Sequence, residues 1–402
     1  SFLAIIKMGG VVVALNPSYQ ERELEFHLKD AGVTSVIAID TVLSRLEAIK
    51  GAIALEKIIL VYPQQKFSTI DQPTRAVRYE NRTGEGIMDL KDLLALSGTI
   101  VPEEKINPNT PAIIQYSGGT TGIPKGAIGT HRNILANVIQ FSTWLLLDQS
   151  PFRILTAIPL FHVYGMVLSF WLAIKLGTAM VMVHQPGDID SLFKAVRKHK
   201  PGIFPCVPSL YGAILRSPEL ENYASDLKAL KVCISGSAPL SAETKQKFEE
   251  YIDGRLVEGF GLSEAPTATH CNPVKGKNIT GSIGMPLPDV DCKVVDIDNP
   301  KLEKATGEIG ELLLRGPQVM IGYHQRTDEN KEIFLEGWLR TGDIVRMDDD
   351  GYFYIVGRKK DLIKVGGLQV WPAEIEEVIS AIGGISEVVV AGVEDDLMGE
   401  IP

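Results

Sequence analysis

Cysteine is scarce in the sequence, and its spacing excludes two common kinds of site. The four cysteines are Cys206, Cys233, Cys271 and Cys292, in a chain of 402 residues. No two of them are close enough for a Cys-x-x-Cys metal site, and so few thiols do not form a disulfide framework. We therefore expect reduced thiols and a cytoplasmic setting.

Basic residues are also too few for a nucleic-acid surface. Lysine and arginine total 40 against 50 aspartates and glutamates, and the net charge is −10. A nucleic-acid-binding protein needs a concentrated basic patch, so we expect no nucleic-acid partner. A small anionic ligand stays open, because a few local lysines or arginines are enough to bind it.

The sequence has no clear targeting segment and one long apolar run. Residues 2–15 are apolar, but Lys7 interrupts them and no cleavage site follows, which argues against a signal peptide. Residues 163–183 contain a single charge, Lys175. We interpret this run as a buried helix followed by a core strand at 179–183, with a membrane span as the alternative.

Strand and helix patterns alternate between residues 111 and 260, and short strands separated by Gly, Pro and Asp turns follow them. The alternation predicts a mainly parallel sheet covered by helices, and the later pattern is typical of antiparallel structure. Predicted strands lie at 111–116, 230–234, 256–258, 292–295 and 311–314, and helices are predicted to begin near Thr130, Asp188 and Ser241.

These patterns predict an α/β protein with a large and a small domain. The N-terminal domain would span 1–358 and consist of parallel sheets with helices plus a barrel-like antiparallel subdomain at 281–357. Residues 359–402 would begin a small α+β C-terminal domain. Because the chain starts at Ser1 and both ends break off within a unit, we interpret it as a fragment.

Three glycine-bearing segments come directly after predicted strands, at 117–122, 235–239 and 259–264. In an open parallel sheet, ligands bind beyond the carboxyl ends of the strands. We therefore expect the three segments to be loops that line one crevice.

The first of these segments has the composition of a phosphate-binding loop. Glycines let backbone N–H groups approach phosphate oxygens, hydroxyls add donors, and Lys125 adds a positive charge. The spacing is not that of a Walker A motif, because Lys125 is followed by Gly126 rather than by Ser or Thr. A surface turn with a solvated lysine is the alternative.

The string YSGGTTGIPKG at residues 116–126 closely resembles the phosphate-loop signature of the adenylate-forming superfamily. That superfamily contains acyl-CoA synthetases, 4-coumarate–CoA ligases, luciferases and peptide-synthetase adenylation domains. Further segments resemble, in order, its early segment, acyl-pocket motif, adenine and magnesium motif, ribose motif and hinge. They lie at 9–17, 159–165, 258–264, 341–343 and 357–367.

The resemblance implies a role for each matching residue in binding ATP and magnesium. The ATP phosphates would be held by Ser117, Gly118, Gly119, Thr120, Thr121, Gly122 and Lys125. The adenine would lie along Gly236, Ser237 and Ala238, with Phe260 stacked on it, in a motif that also contains Glu258, Gly259, Gly261 and Ser263. Thr120 and Glu264 would bind Mg²⁺, Asp343 would accept the ribose hydroxyls, and Arg358 would lie near the ribose and phosphate. Simpler alternatives are a core residue for Phe260, a helix cap for Glu264 and a turn residue for Asp343.

The remaining implied roles concern the acyl group, the hinge and the thiol. His162, Val163 and Tyr164 would line the acyl pocket, with His162 as a gate rather than a base; a buried structural histidine is the alternative. Lys360 matches the hinge position. The loop at Gly366, Gly367 and Leu368 would meet CoA, and Lys125, Glu264, Arg358 and Lys364 are the predicted catalytic residues. The family's adenylation lysine would lie beyond Pro402.

The predicted function is ATP- and Mg²⁺-dependent activation of a carboxylic acid to an acyl-adenylate, followed by transfer to CoA. A medium- or long-chain fatty acid is the first choice of substrate, an aryl acid such as a coumarate the second, and luciferase-type oxidation the third. A non-catalytic nucleotide-binding relative is the alternative from another class. Peripheral contact with a membrane, for fatty substrates, and a homodimer are left open.

Overall fold

A computed structural model of the chain divides into two units, Ser1–His131 and Arg132–Pro402. The two units meet between His131 and Arg132, not after residue 358. The domain boundary after residue 358 stays a prediction. The structure describes residues 1–62, 86–95, 105–117, 123–146, 152–185, 187–366, 368–380, 382, 385, 388–395 and 397–402.

The first unit contains two small sheets. Strands β2, β3 and β4 form a parallel sheet, while β5 pairs in parallel with β1 and antiparallel with β6. Its described helices are α1 (Phe2–Lys7), α2 (Glu21–Asp30), α3 (Leu43–Ile49) and α4 (Leu90–Ala95), and its strands are β1 (Val12–Val13), β2 (Ser35–Ile39), β3 (Lys57–Val61), β4 (Ile87–Asp89), β5 (Pro111–Ser117) and β6 (Lys125–Thr130).

Helix α2 shows how the sequence builds this unit. The helix begins with a capping box, in which the Gln20 N–H donates to a Glu23 carboxylate oxygen at 2.9 Å. Leu24 and Leu28 lie one turn apart on the same face and are buried. They pack in one core cluster with Leu46 of α3 and with residues of β3, so the helix is fixed by its apolar stripe.

The second unit is larger and mixes parallel and antiparallel sheets. Its described helices are α5 (His131–Trp144), α6 (Val163–Gly165), α7 (Leu172–Leu176), α8 (Ile189–His199), α9 (Pro208–Leu215), α10 (Leu220–Leu227), α11 (Ala242–Tyr251), α12 (Thr327–Ile333) and α13 (Pro372–Ser380). Its strands are β7 (Ile154–Thr156), β8 (Met180–Met182), β9 (Ile203–Cys206), β10 (Val232–Ser235), β11 (Arg255–Leu262), β12 (Ala265–Cys271), β13 (Met285–Pro286), β14 (Asp291–Val295), β15 (Gly310–Arg315), β16 (Phe334–Leu335), β17 (Trp338–Met347), β18 (Phe353–Arg358), β19 (Ile363–Val365), β20 (Leu368–Val370), β21 (Val393–Asp395) and β22 (Gly399–Ile401).

This unit contains a seven-stranded sheet, in which the strand order is β13-β12-β11-β10-β9-β7-β8. Strands β7 to β11 pair in parallel, which confirms the predicted mainly parallel sheet. The predicted strand at 111–116 is present as β5, but it belongs to the first unit. The expectation that three glycine segments follow strands of one sheet is therefore wrong for the first segment, because β6 folds back on β5 as a hairpin.

The predicted helix starts are confirmed, two of them together with their caps. Helix α5 begins at His131, directly after Thr130. The Asp188 carboxylate accepts the Ser191 N–H at 3.2 Å, and the Ser241 hydroxyl accepts the Thr244 N–H at 3.1 Å. Each cap satisfies an N–H that has no partner within its helix.

The apolar run at 163–183 forms a buried helix and a strand, as predicted. Helices α6 and α7 are joined by a π-helical stretch, Met166–Trp171, and β8 follows. Gly177 ends the helix at φ +61°, a left-handed conformation that favours glycine. Within the described part of the chain, every helix is too short or too polar to cross a membrane.

Antiparallel structure follows the large sheet, as predicted. Strands β14, β15, β17 and β16 form an antiparallel sheet, and β18 pairs with β17. Strands β20, β19, β22 and β21 form a second sheet. The buried Trp371 and Leu362 pack against Ile297 and Ile344, so the residues after the hinge position contact the antiparallel sheet. The barrel-like closure stays a prediction.

Candidate active site

The second glycine segment begins where β10 ends. Ser235 lies opposite Glu258 of β11, and the Gly236 N–H donates to the Cys206 carbonyl at 3.3 Å. A Cβ added at Gly236 would lie 3.4 Å from the Tyr164 ring and 3.5 Å from the Gly259 carbonyl oxygen. Ser237 follows at φ +72°, a conformation that side chains rarely adopt. The segment thus passes close to β11, and its role in binding adenine stays a prediction.

Glu258 holds this loop to the sheet. Its buried carboxylate accepts the Leu240 N–H at 2.8 Å. Burial raises the pKa of Glu258 to about 7, although the Leu240 hydrogen bond and the nearby Lys245 charge oppose that rise. The Glu258 side chain therefore contacts the backbone directly after the loop, and its role in binding adenine stays a prediction.

The third glycine segment is mostly strand rather than the predicted loop, with a turn only at Ser263 and Glu264. Strand β11 continues to Leu262, and β12 folds back on it with Phe260 opposite His270. A Cβ added at Gly261 would lie 1.6 Å from the Thr267 carbonyl oxygen, so only glycine permits this close approach. Phe260 is half-buried, with its ring centroid 6.0 Å from that of His270. The expectation of a loop at Phe260 is wrong, and its stacking on adenine stays a prediction.

Glu264 lies in the turn between β11 and β12. Its carboxylate oxygen Oε1 accepts the Tyr323 hydroxyl at 2.7 Å, and its carbonyl accepts the Met320 N–H at 2.8 Å. A strand follows Glu264, so the alternative of a helix cap is wrong. Ser263 lies in the same turn, while Thr120, the other predicted metal ligand, lies outside the described residues.

The residues present fit a magnesium ion whose ligands come partly from the protein and partly from a nucleotide. Mg²⁺ usually takes one or two carboxylates together with substrate phosphates, rather than a cage made by protein alone. Among the described residues, no group of three or more His, Cys, Asp or Glu side chains forms such a cage. Glu264 is a hard oxygen donor of the required type, with one of its two oxygens engaged by Tyr323.

Asp343 and Arg358 form a partly buried ion pair. They lie opposite each other on β17 and β18, with Arg358 Nε 3.2 Å from Asp343 Oδ1. Asp343 is 4% exposed, and burial raises its pKa to about 6 against the opposing effect of Arg358. Glu264 raises the pKa of Asp343 further, so the two carboxylates are close enough to interact. Because Asp343 lies within a strand, the alternative of a simple turn residue is wrong.

The predicted acyl-pocket residues form the start of α6. His162 is exposed and caps this helix, with its Nδ1 accepting the Tyr164 N–H at 3.2 Å, so it is not a core histidine. Surrounding protein lowers the pKa of His162, which favours the neutral imidazole. The buried Tyr164 hydroxyl donates to the Ile234 carbonyl at 2.8 Å and places the ring beside Gly236. Val163 is buried next to it.

The predicted phosphate loop joins the two strands of a hairpin in the first unit. Ser117 and Lys125 lie opposite each other where the hairpin opens, and Lys125 is half-buried. A Cβ added at Gly126 would lie 2.6 Å from the Ile114 side chain, so glycine allows tight pairing here. The residues between the strands that carry the prediction, Gly118, Gly119, Thr120, Thr121 and Gly122, lie outside the described residues.

The hinge and CoA-loop positions lie after β18. Lys360 is exposed in a single 3₁₀ turn, Lys359–Asp361. The preceding Lys359 is fixed, because its Nζ lies 3.2 Å from the buried Glu311 carboxylate. Lys364, Gly366 and Leu368 lie on the β19–β20 hairpin, where Leu368 is 71% exposed; Gly367 lies outside the described residues.

A family model described as AMP-binding enzyme matches residues 1–324. The chain belongs to the AMP-binding enzyme family. Among curated relatives, a long-chain-fatty-acid–CoA ligase from Bacillus subtilis is 38% identical over 409 residues, which cover 100% of this chain and 72% of the relative. A probable 4-coumarate–CoA ligase from Dictyostelium discoideum is 33% identical, again over 100% of this chain and 72% of the relative.

Solved structures of other proteins share the fold of this chain. ATP-bound MatB from Rhodopseudomonas palustris superposes with a TM-score of 0.85 at 27% identity, covering 99% of this chain and 74% of that one. The resemblance inferred from six short motifs therefore holds over the whole chain, and the predicted α/β fold class is confirmed.

Sequence reasoning about this AMP-binding enzyme missed Tyr323 and Asn330. Tyr323 contacts Glu264 across 59 residues of chain, a separation that no local pattern reveals. Gly322, directly before Tyr323, has φ +146°, a conformation that favours glycine, and is a local signal of an unusual backbone there. Asn330 lies in the first turns of α12 and bonds to the backbone of Tyr323.

Proposed function

We propose that the protein activates a carboxylic acid with ATP and Mg²⁺ and then transfers the acyl group to CoA. In the first step a carboxylate oxygen attacks the α-phosphorus, the bond to the β-phosphate breaks, and pyrophosphate leaves. In the second step the CoA sulfur attacks the acyl carbon, AMP leaves, and the thiol gives up its proton. The observation that carries this proposal is the grouping of Asp343, Arg358 and Glu264 in an AMP-binding enzyme.

The protein mainly orients the reactants and neutralises charge in such a reaction. Asp343 accepts the ribose hydroxyls, and Arg358 bonds to Asp343 with part of its guanidinium while 56% of its side-chain surface stays accessible for a phosphate. Lys125 neutralises phosphate charge. Glu264 holds Mg²⁺, which supplies further charge neutralisation when bound.

A long-chain fatty acid is the proposed substrate. The support is the fatty-acid–CoA ligase from Bacillus subtilis, which is 38% identical to this chain, whereas the coumarate-type relative is 33% identical. An aryl acid is the second candidate, favoured by that second relative. His162 and Val163 lie at the start of α6 beside Tyr164, and they are the proposed wall of the acyl pocket.

The hinge and the thiol loop complete the proposal. Rotation at Lys360 exchanges the orientations for the two steps, and the hairpin with Lys364, Gly366, Gly367 and Leu368 meets CoA. A cytoplasmic location is proposed because all four cysteines are free. Contact with a membrane and a homodimer stay predictions.

A panel of acids tests the proposed substrate class. The full-length protein is incubated with ATP, Mg²⁺ and CoA and with octanoate, palmitate, oleate, 4-coumarate, benzoate or malonate, and thioester formation is measured. The proposal predicts the highest kcat/KM for a fatty acid. Highest kcat/KM for 4-coumarate or benzoate would favour the aryl alternative, and thioester from none of these acids would contradict CoA ligation.

A further inference from the structure

Tyr323 is hydrogen-bonded to the proposed metal ligand from a part of the chain that no motif marks. Its hydroxyl donates to Glu264 Oε1 at 2.7 Å, and the residue is 8% exposed. Burial, followed by the negative charge of Glu264, raises the pKa of Tyr323. The hydroxyl thus keeps its proton at neutral pH and is a permanent donor to the carboxylate.

Asn330 fixes the backbone of Tyr323 from both sides. The Tyr323 N–H donates to Asn330 Oδ1 at 2.7 Å, and Asn330 Nδ2 donates to the Tyr323 carbonyl at 2.9 Å. A Cβ added at Gly322 would lie 3.1 Å from the Asn330 amide, so the glycine lets the turn approach that side chain. Asn330, Tyr323 and Glu264 therefore form a continuous hydrogen-bonded series.

The end of this series lies at the nucleotide site. The charge of Glu264 acts on Asp343, the proposed ribose ligand, which also pairs with Arg358. Carboxylates that ligate metals are commonly oriented by a second hydrogen-bonding partner, and loss of that partner weakens metal binding. A phenol bonded to one carboxylate oxygen leaves the other oxygen available for a cation.

We propose that Tyr323 is a positioning residue, which holds Glu264 Oε1 so that Oε2 can bind the divalent cation of the nucleotide, and that Asn330 holds Tyr323 in place. This proposal rests on the proposed function, in which Glu264 binds that cation. Tyr323 itself touches neither the cation nor the substrate.

The test measures metal binding directly. Mn²⁺ replaces Mg²⁺ because its binding is followed by electron paramagnetic resonance, and α,β-methylene-ATP is used because its α–β bridge is not cleaved. The variants are Tyr323→Phe, which removes only the hydroxyl, Asn330→Ala and Glu264→Gln. Tyr352→Phe is the matched control, since Tyr352 is also buried and its hydroxyl donates to the Lys277 carbonyl at 2.5 Å.

We expect Tyr323→Phe to weaken Mn²⁺ binding about tenfold, within the range for lost outer-sphere partners. Asn330→Ala should also weaken Mn²⁺ binding, and Glu264→Gln should weaken it more strongly. Tyr352→Phe should leave Mn²⁺ binding unchanged. Nucleotide affinity measured in EDTA should stay the same in Tyr323→Phe. A purely structural role would instead lower Tm in Tyr323→Phe and leave Mn²⁺ affinity at the wild-type value.

The outcomes separate this proposal from the one on which it rests. If Glu264→Gln loses Mn²⁺ while Tyr323→Phe and Asn330→Ala keep it within twofold, the positioning role is overturned and the metal role of Glu264 stands. If Glu264→Gln also keeps wild-type Mn²⁺ affinity, Glu264 is not the ligand and both proposals fail. Should Tyr323→Phe not fold, Asn330→Ala decides by the same criterion.

Discussion

Asp343 and Arg358 occupy opposite positions on two neighbouring antiparallel strands, and Arg358 Nε lies 3.2 Å from Asp343 Oδ1. The carboxylate is buried and the guanidinium is mostly accessible. The pair thus presents one acceptor for hydroxyl groups and one cation for a phosphate, both fixed by strand pairing rather than by a loop. Fixed donors and acceptors of this kind cost little reorganisation when a ligand binds.

Replacement of Asp343 by Asn tests the ribose assignment. Asparagine has only one acceptor oxygen and adds donors, so it reproduces poorly a carboxylate that accepts two hydroxyls. We expect Asp343→Asn to raise the KM for ATP about tenfold or more without changing the order of preference among acids. Steady-state kinetics with two acids checks this. A changed acid preference with unaltered KM for ATP would assign Asp343 to the acyl pocket.

The pH dependence of nucleotide binding provides a second test of Asp343. Its pKa is about 6 in the folded protein, above the ordinary 3.8, so the carboxylate is charged above about pH 6 and takes up a proton below it. ATP affinity should therefore fall as the pH is lowered from about 7.5 to about 5.5. Calorimetric titrations should show that this fall is absent or much smaller in Asp343→Asn. An equal fall in both proteins would assign the dependence to another group.

The raised pKa of Glu258 predicts that the stability of the folded protein depends on pH. Its pKa is about 7 in the fold against an ordinary 4.5, so the folded state binds the proton more tightly than the unfolded state. A raised carboxyl pKa means that stability is greatest below the unfolded value and is lost as the pH rises through the folded value. We expect the Tm of the wild type to fall between about pH 5 and about pH 8 more steeply than that of Glu258→Gln. Parallel curves would show that Glu258 does not titrate in this range.

Lys125 should contribute to phosphate binding. A charge-assisted contact is worth about 1.5–3 kcal/mol, so Lys125→Ala should weaken ATP binding roughly tenfold to a hundredfold. Lys301→Ala, at an exposed position of the second unit, is the control. Unchanged ATP affinity in a folded Lys125→Ala protein would leave the alternative of a solvated surface lysine.

The hinge proposal predicts a split between the two half-reactions. Proline fixes φ near −65° and removes the N–H, so Lys360→Pro, made in the full-length protein, should trap one domain orientation, whereas Lys360→Ala keeps the backbone free. Adenylate formation and thioester formation from supplied adenylate are measured separately. We expect the proline variant to keep one activity and lose the other. Retention of both would mean that no rotation occurs at Lys360, and equal loss of both would point to a general defect.

Local sequence patterns predicted the parts of the fold that local physics determines. The caps at Asp188 and Ser241 depend on residues three positions away, and the apolar run at 163–183 follows helix and strand periodicity. Phe260 was misplaced because its two flanking glycines favour a turn, whereas they allow β12 to pair closely with β11. That pairing is decided by the returning strand and is not visible at Phe260.

The candidate site was predicted only as far as its motifs extend. Family resemblance indicated Glu264, Asp343 and Arg358, and the structure groups them electrostatically. The role of Tyr323 was not predicted, because its contact with Glu264 joins positions 59 residues apart. Side-chain partners of this kind depend on the tertiary fold, which brings together segments with no shared pattern.

Acid-dependent exchange of radiolabelled pyrophosphate into ATP tests the central proposal most directly. Exchange requires reversible formation of the acyl-adenylate, so a non-catalytic nucleotide-binding relative would not support it. With palmitate, Mg²⁺ and no CoA, we expect the full-length protein to incorporate label at a rate that depends on palmitate concentration, and Glu264→Gln should reduce that rate at least tenfold. ATP binding without any acid-dependent exchange, across the same panel of acids, would contradict the assignment as an acid-activating enzyme.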